Sequence, residues 1–214
     1  MRTGLILGVL LLLTWSCRKQ DGFESRLYGK VLNAETGANV NGANVAFSQQ
    51  LVSGGAFNAN WQTVGSSTTS GGSYDFTFER ENAASFRVEV DHDLYFDLTK
   101  NINPDNLRTG EELQLDLEMT ARAYLKVSIV NTAPLNDQDE LVYRNLNADY
   151  ACDCCDEEEV VLNGTDIDTS WVCELPGYTN LVYRFDVDKD TLDYIEFDTL
   201  YITPFDTSYI TINY

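Results

Sequence analysis

Four cysteines in the second half of this chain combine reactive chemistry with distinctive spacing. Cys152, Cys154 and Cys155 crowd into Ala151-Cys152-Asp153-Cys154-Cys155-Asp156, and Cys173 lies 18 residues beyond Cys155. Four such thiols can form two disulfides in an oxidising compartment, with three connectivities open, or hold one metal ion as thiolates. The spacing lacks paired Cys-x-x-Cys arms, and the flanking acids would add to the negative charge of a four-thiolate site. Disulfides are therefore the expected outcome. One bond from the 152–155 loop to Cys173 would tie two neighbouring strands and contribute about 3 kcal/mol by closing a loop of that size.

Other chemistry is sparse. His92 is the single histidine, flanked by Asp91 and Asp93 at the end of an alternating run. This removes most Ser-His-Asp and Cys-His arrangements and any site needing several histidine ligands. No Gly-x-Ser-x-Gly elbow and no phosphate-binding glycine loop occurs. A pair of carboxylates could hydrolyse a glycoside without histidine, but 34 acidic residues single out no pair. Asp186-x-Asp188-x-Asp190 resembles the opening of a calcium loop, with Thr191 and Phe197 where that loop carries glycine and glutamate. An exposed acidic strand face is the preferred reading, though bound calcium would relieve the repulsion among so many acids. Asp190-Thr191-Leu192 and Asp198-Thr199-Leu200 resemble the Asp-Thr-aliphatic tripeptide that some bacteria O-glycosylate on exported proteins, which makes Thr191 and Thr199 candidates. Trp61, Tyr178, Tyr183, Tyr194 and Tyr201 are candidates for a sugar-stacking surface, although such residues more often fill β cores.

The elements that must position these residues begin after a leader. Arg2 precedes an apolar run, Leu5 to Leu13, that is too short for a hydrocarbon core needing about 20 apolar residues. Leu13-Thr14-Trp15-Ser16-Cys17 resembles the lipobox of bacterial lipoproteins. The resemblance implies removal of residues 1–16, lipidation of Cys17 and a membrane held through lipid chains. Residues 17–25 then form the lipidated end and a polar tether. With Cys17 lipidated, four cysteines remain for pairing. The charge of −20 includes only 14 basic residues, a poor basis for nucleic-acid binding.

From Leu27 onward, apolar and polar residues alternate with period two: Tyr74, Phe76, Phe78; Phe86, Val88, Val90; Leu113, Leu115, Leu117, Met119; Leu125, Val127, Ile129. Glycine and proline turns separate the runs. The pattern predicts an all-β chain of two consecutive Ig-like or transthyretin-like Greek-key sandwiches, residues 26–120 and 121–214. Expected strands include 94–100 and an unbroken 112–120. The first unit, Gly29-Lys30-Val31, Glu35-Thr36-Gly37 and Gly42-Ala43-Asn44-Val45 with Gly72-Ser73-Tyr74-Asp75-Phe76, resembles carboxypeptidase regulatory-like domains. That family implies a transthyretin-like sandwich used as an accessory module, with no catalytic residue to transfer. Gly37 and Gly42 would permit turns, and Val45, Tyr74 and Phe76 would fill the core.

These readings lead to a non-catalytic lipoprotein of the outer membrane, facing the periplasm or the outside, that binds a protein or glycan or scaffolds an assembly. A carboxylate-based glycoside hydrolase and a calcium-stabilised structural stalk stand as alternatives.

Overall fold

The computed structural model describes residues 24–147, 154, 159–190 and 192–214. The leader, Cys17, most of the tether, Cys152, Cys155 and Thr191 lie outside the described residues.

The first half runs β1 (Glu24–Asn33), β2 (Asn44–Ser53), β3 (Ala56–Phe57), β4 (Gln62–Thr68), β5 (Ser73–Glu79), β6 (Ala83–Asp91), β7 (Leu98–Ile102), β8 (Glu112–Gln114) and β9 (Leu117–Met119). The second runs β10 (Arg122–Val130), β11 (Glu140–Asn145), β12 (Val160–Asn163), β13 (Asp168–Pro176), β14 (Asn180–Lys189), β15 (Leu192–Tyr201) and β16 (Thr207–Asn213). Among the described residues the regular structure is all-β apart from one short 3₁₀ turn, Pro104–Asn106.

Alternation becomes burial directly. In β5 every second residue, Tyr74, Phe76 and Phe78, is buried, and β10 buries Ala123, Leu125, Val127 and Ile129. A strand with one apolar face needs a second sheet to cover it, and each half supplies two. In the first half, β5-β1-β8 forms one sheet, with β9 also on β1. The other sheet is β3-β2-β6-β7, with β4 beside β3 on the same side of β2. In the second half the sheets are β13-β10-β16 and β12-β11-β14-β15.

The two halves repeat one plan. With the main strands of each half lettered a to g, the sheets are d-a-g and c-b-e-f, and a runs parallel to g in both. Each half carries its own core. Phe47, fully buried, stacks on Phe76 and Phe86 and meets Phe78 edge-on, joining β2 and β6 to β5 across the first sandwich. Leu125, Leu141, Phe185, Ile202 and Ile212 lie in the second core, where Tyr143 of β11 meets Trp171 of β13 with ring centroids 5.8 Å apart.

Two expected strands take another form. Within 94–100, Tyr95 turns back to donate to the His92 carbonyl, and Phe96 donates to the Thr120 carbonyl. Residues 94–96 thus pair with 120–122, and strand β7 starts only at Leu98. The 112–120 run splits at Leu115-Asp116: the Leu115 N–H still donates to the Tyr28 carbonyl of β1, but the next ladder bond is replaced. The Tyr74 hydroxyl donates to the Leu115 carbonyl at 2.5 Å, and the Asp116 carboxylate accepts from the Lys30 N–H at 2.9 Å. Gly29 makes room for this crossing, since a Cβ there would lie 1.9 Å from the Leu115 carbonyl oxygen. Gly37 and Gly42 have φ of 68° and 84°, the left-handed turns anticipated for them. Val45, Tyr74 and Phe76 are buried in the first core.

Where the halves meet, the Arg122 guanidinium donates to the Tyr95 carbonyl at 3.0 Å and pairs with Glu174. Phe205 packs against Tyr95 with centroids 5.3 Å apart.

Candidate functional site

Among the edge strands of the second half, β15 is the longest, at ten residues. β15 pairs with β14 across ten residues, from Asn180↔Tyr201 to Lys189↔Leu192, and is the last strand of its sheet. Asp190, between the two strands, has φ of 39°, a conformation aspartate tolerates better than most residues. Opposed residues in an antiparallel pair share a face. Because β14 buries Leu181, Tyr183, Phe185 and Val187, the outward side of β15 carries Asp193, Ile195, Phe197, Thr199 and Tyr201.

Three of those side chains are large and apolar: Ile195 is 58% exposed, Phe197 64% and Tyr201 51%. Val161 of β12 and Val142 of β11 lie on the same face, separated from Ile195 by Asp186 of β14. The Arg184 guanidinium sits 6.0 Å from the Phe197 ring and is clamped by Asp186.

Three acids, Asp193, Glu196 and Asp198, are interspersed along the same strand. Asp188 and Asp193 oppose each other across the β14–β15 pair. The Asp193 charge and hydrogen bond push the exposed Asp188 carboxyl above its ordinary range. The side chains of Glu196 and Asp198 turn toward the core side of the edge. Asp198 accepts from the Tyr183 hydroxyl at 3.1 Å, and burial, together with the acids Asp198 and Glu196, pushes that phenol up to about 12.

The calcium candidates Asp186, Asp188 and Asp190 fall in β14 and the turn after it, and not in a folded calcium loop. Asp186 is engaged by Arg184, whose hydrogen bond holds its carboxyl below the ordinary range. No cluster of three or more His, Cys, Asp or Glu able to hold a metal occurs among the described residues. Thr199 is exposed on the outward face of β15, while Thr191 lies outside the described residues.

Cys154 and Cys173 are disulfide-bonded, with Cα atoms 5.3 Å apart. The bond joins the segment between β11 and β12 to β13, and so ties the two sheets of the second sandwich. Cys154 is buried, and its backbone is held on both sides: its carbonyl accepts from the Asn145 side chain at 2.6 Å, and its N–H donates to Glu174 at 3.2 Å. Cys152 and Cys155, the remaining disulfide candidates, lie outside the described residues.

The aromatic candidates do not form one platform. Trp61 belongs to the first half and is covered by the Arg87 guanidinium at 4.3 Å. Tyr183 is buried, Tyr194 packs on Phe185, and Tyr178 meets Phe205 at the junction of the halves. His92 packs edge-on against Tyr95, and its Nδ1 accepts from the Leu94 N–H.

An open groove of about 560 Å³ crosses the first half beside Arg26, Tyr28, Lys30, Tyr74, Asp75 and Gln114. Arg26 pairs with Asp75 and lies 4.5 Å from the Tyr28 ring centroid, so the aromatic face that a sugar would stack on is already covered. Period-two alternation does not tell which strand becomes an edge. The signal available in the sequence is apolar residues at both alternating positions, Ile195 and Phe197 beside Tyr194 and Leu200.

No known protein family matches this chain, and no curated protein sequence matches it. Solved structures similar to it include the Bacillus anthracis TIE protein, at 20% identity and a TM-score of 0.35. That match covers 89% of this chain and 33% of that one, so this chain spans about a third of its length. A DUF3823 family protein from Bacteroides uniformis is similar at 10% identity and TM-score 0.32, over 84% of this chain and 99% of that one. The shaft pilin SpaA from Lactobacillus rhamnosus is similar at 8% identity and TM-score 0.29, over 90% and 97%. Likeness this distant assigns no residue and no activity.

Proposed function

We propose that this chain is a non-catalytic binding module of the cell envelope, lipid-anchored through Cys17 to the outer membrane, that captures an extended basic segment of another protein along β15. The observation that carries the reading is a ten-residue edge strand presenting Ile195, Phe197 and Tyr201 more than half exposed amid acidic side chains. An unpaired strand edge offers a row of backbone donors and acceptors. An added strand gains main-chain hydrogen bonds there, and its alternate side chains are read by the adjoining surface.

The acids choose the occupant. Asp193, Glu196 and Asp198 lie on the edge strand with Asp188 opposite Asp193 on β14, and the whole chain carries −20, so a second copy is repelled while lysine or arginine on the incoming strand is attracted. Acidic side chains on an edge also guard against self-pairing, which suits a strand kept open for a different partner. A glycan ligand is less well supported, because the groove beside Tyr28 is closed to stacking by Arg26. No helix among the described residues is long and apolar enough to cross a membrane. Attachment through lipid on Cys17 rests on the resemblance of Leu13-Thr14-Trp15-Ser16-Cys17 to a lipobox, and β1 starts at Glu24.

The test places a photo-cross-linking residue at 195 or 197 of the full-length protein in its own envelope, with position 172 as control. Val172 is also exposed, but on the other sheet. Adducts with one protein through a basic peptide are expected at 195 and 197 only, and Phe197→Lys should abolish the adduct formed at 195. Equal adducts at 172, or none at 195 and 197, would overturn the edge assignment. Separately, Cys17→Ala should release the protein from the membrane fraction, and retention there would overturn the anchor.

A further inference from the structure

Three polar side chains meet inside the second sandwich, at the end of β10 far from the disulfide. Lys189, the last residue of β14, points inward and is 2% exposed; Asn131, just after β10, is 7% exposed, and Asp139, just before β11, is fully buried. The Lys189 ammonium donates to Asn131 Oδ1 at 2.7 Å and to the Ala133 carbonyl at 3.1 Å, and lies 3.8 Å from Asp139 Oδ2. Asn131 Nδ2 donates to that same Asp139 oxygen at 3.0 Å and to the Gly164 carbonyl at 3.1 Å. The Tyr214 ring covers the ammonium at 4.4 Å.

Burial pushes the Asp139 carboxyl up, but hydrogen bonds from Asn131, Leu135 and Asn136 and the charge of Lys189 outweigh it. The group is held below its ordinary range, ionised and able to accept a proton. A buried charge pair gains little over apolar packing, so stability alone is a weak reason for this trio. Its geometry suits a reaction. The Asn131 carboxamide carbon is one C–O bond, about 1.2 Å, beyond Oδ1, which puts it within about 4 Å of the lysine nitrogen. One carboxylate oxygen faces both the attacking and the departing nitrogen.

We propose that Lys189 and Asn131 condense to an intramolecular isopeptide bond, with Asp139 carrying the protons. Asp139 takes a proton from the ammonium and frees the Nζ lone pair, which attacks the Asn131 carboxamide carbon while the carbonyl pair moves onto Oδ1. Asp139 returns that proton to Nδ2. The carbonyl re-forms, and the carbon–Nδ2 bond breaks with its electron pair leaving on nitrogen as ammonia. The second proton shed by Nζ reaches the ammonia, which departs as ammonium. An alkylammonium and a carboxamide become a secondary amide and an ammonium ion, with no oxidant or reductant.

The bond would join β10 in one sheet to β14 in the other. Leu125, which faces Cys173, is six residues before Asn131, so the two covalent ties would stand about 20 Å apart along β10. Asn33 ends β1 at the corresponding place in the first half. There its Oδ1 accepts from the turn N–H groups of Glu35 and Thr36, which provides an internal control.

Intact-mass measurement and peptide mapping of the purified, reduced full-length protein test the proposal. The wild type should be lighter by one ammonia, with the peptides containing Asn131 and Lys189 covalently joined and the Asn33 peptide unchanged. Lys189→Met should restore the full mass. A wild type with Asn131 and Lys189 in separate peptides overturns the proposal whether or not any variant folds. So does a loss of ammonia that persists in Lys189→Met, which would mark asparagine cyclisation instead.

Discussion

Replacing both Cys154 and Cys173 by alanine should destabilise the second sandwich by about 3 kcal/mol. The sequence separation is 19 residues, and the loop-closure entropy for a ring of that size, about 11 cal/mol/K, comes to that value at room temperature. Alanine is the appropriate replacement because Cys154 is buried, where a serine hydroxyl would need a partner of its own. The assay is urea unfolding followed by Trp171 fluorescence in a W15F/W61F background, since Trp171 lies on β13 against Tyr143 and reports on the sandwich in question. With a slope of about 1–3 kcal/mol/M, the midpoint should fall by roughly 1–3 M. Reducing the wild type should lower the midpoint by at least as much. A variant unfolding at the wild-type midpoint would refute the reasoning, because it would mean that the neighbouring backbone bonds hold Cys154 in place without the sulfur bridge.

Phe47→Ala removes a fully buried ring packed against three other phenylalanines, and should cost about 3–5 kcal/mol in a thermal or denaturant melt of the first core. Gly29→Ala should destabilise beyond the roughly 1–3 kcal/mol of ordinary overpacking, because the new Cβ meets backbone, the Leu115 carbonyl, and not a flexible side chain; the same melt checks it. Asp193→Asn should raise the melting temperature at pH 7. The folded-state pKa of Asp188 is raised, so the stability linked to its titration is full below the unfolded value and lost as pH rises through the folded one. The difference between variant and wild type should vanish well below about pH 3.9, where both acids are protonated in either state. High salt should shrink it at pH 7, as both side chains are solvated.

The sequence by itself determined that the chain is all-β and which side of most strands faces a core, because period two in hydrophobicity is also the period of a pleated strand. The runs at Tyr74 to Phe78 and Leu125 to Ile129 needed no tertiary information, and neither did the acidity that disfavours nucleic acid. Only tertiary structure decided which strands became neighbours. Alternation records a buried face but carries no address for its partner, so the shared d-a-g and c-b-e-f plan of the two halves could not be read from dissimilar sequences. The 94–100 run differs from expectation for a related reason: backbone bonds to 120–122 claim its first residues, and the strand begins only at Leu98. Lys189 shows the limit most sharply. In Asp188-Lys189-Asp190 it reads as one more solvated charge, yet the strand turns it inward to Asn131, 58 residues away in sequence. Which cysteine paired with Cys173, and which strand became an exposed edge, were likewise set by distances that exist only once the two sheets have packed.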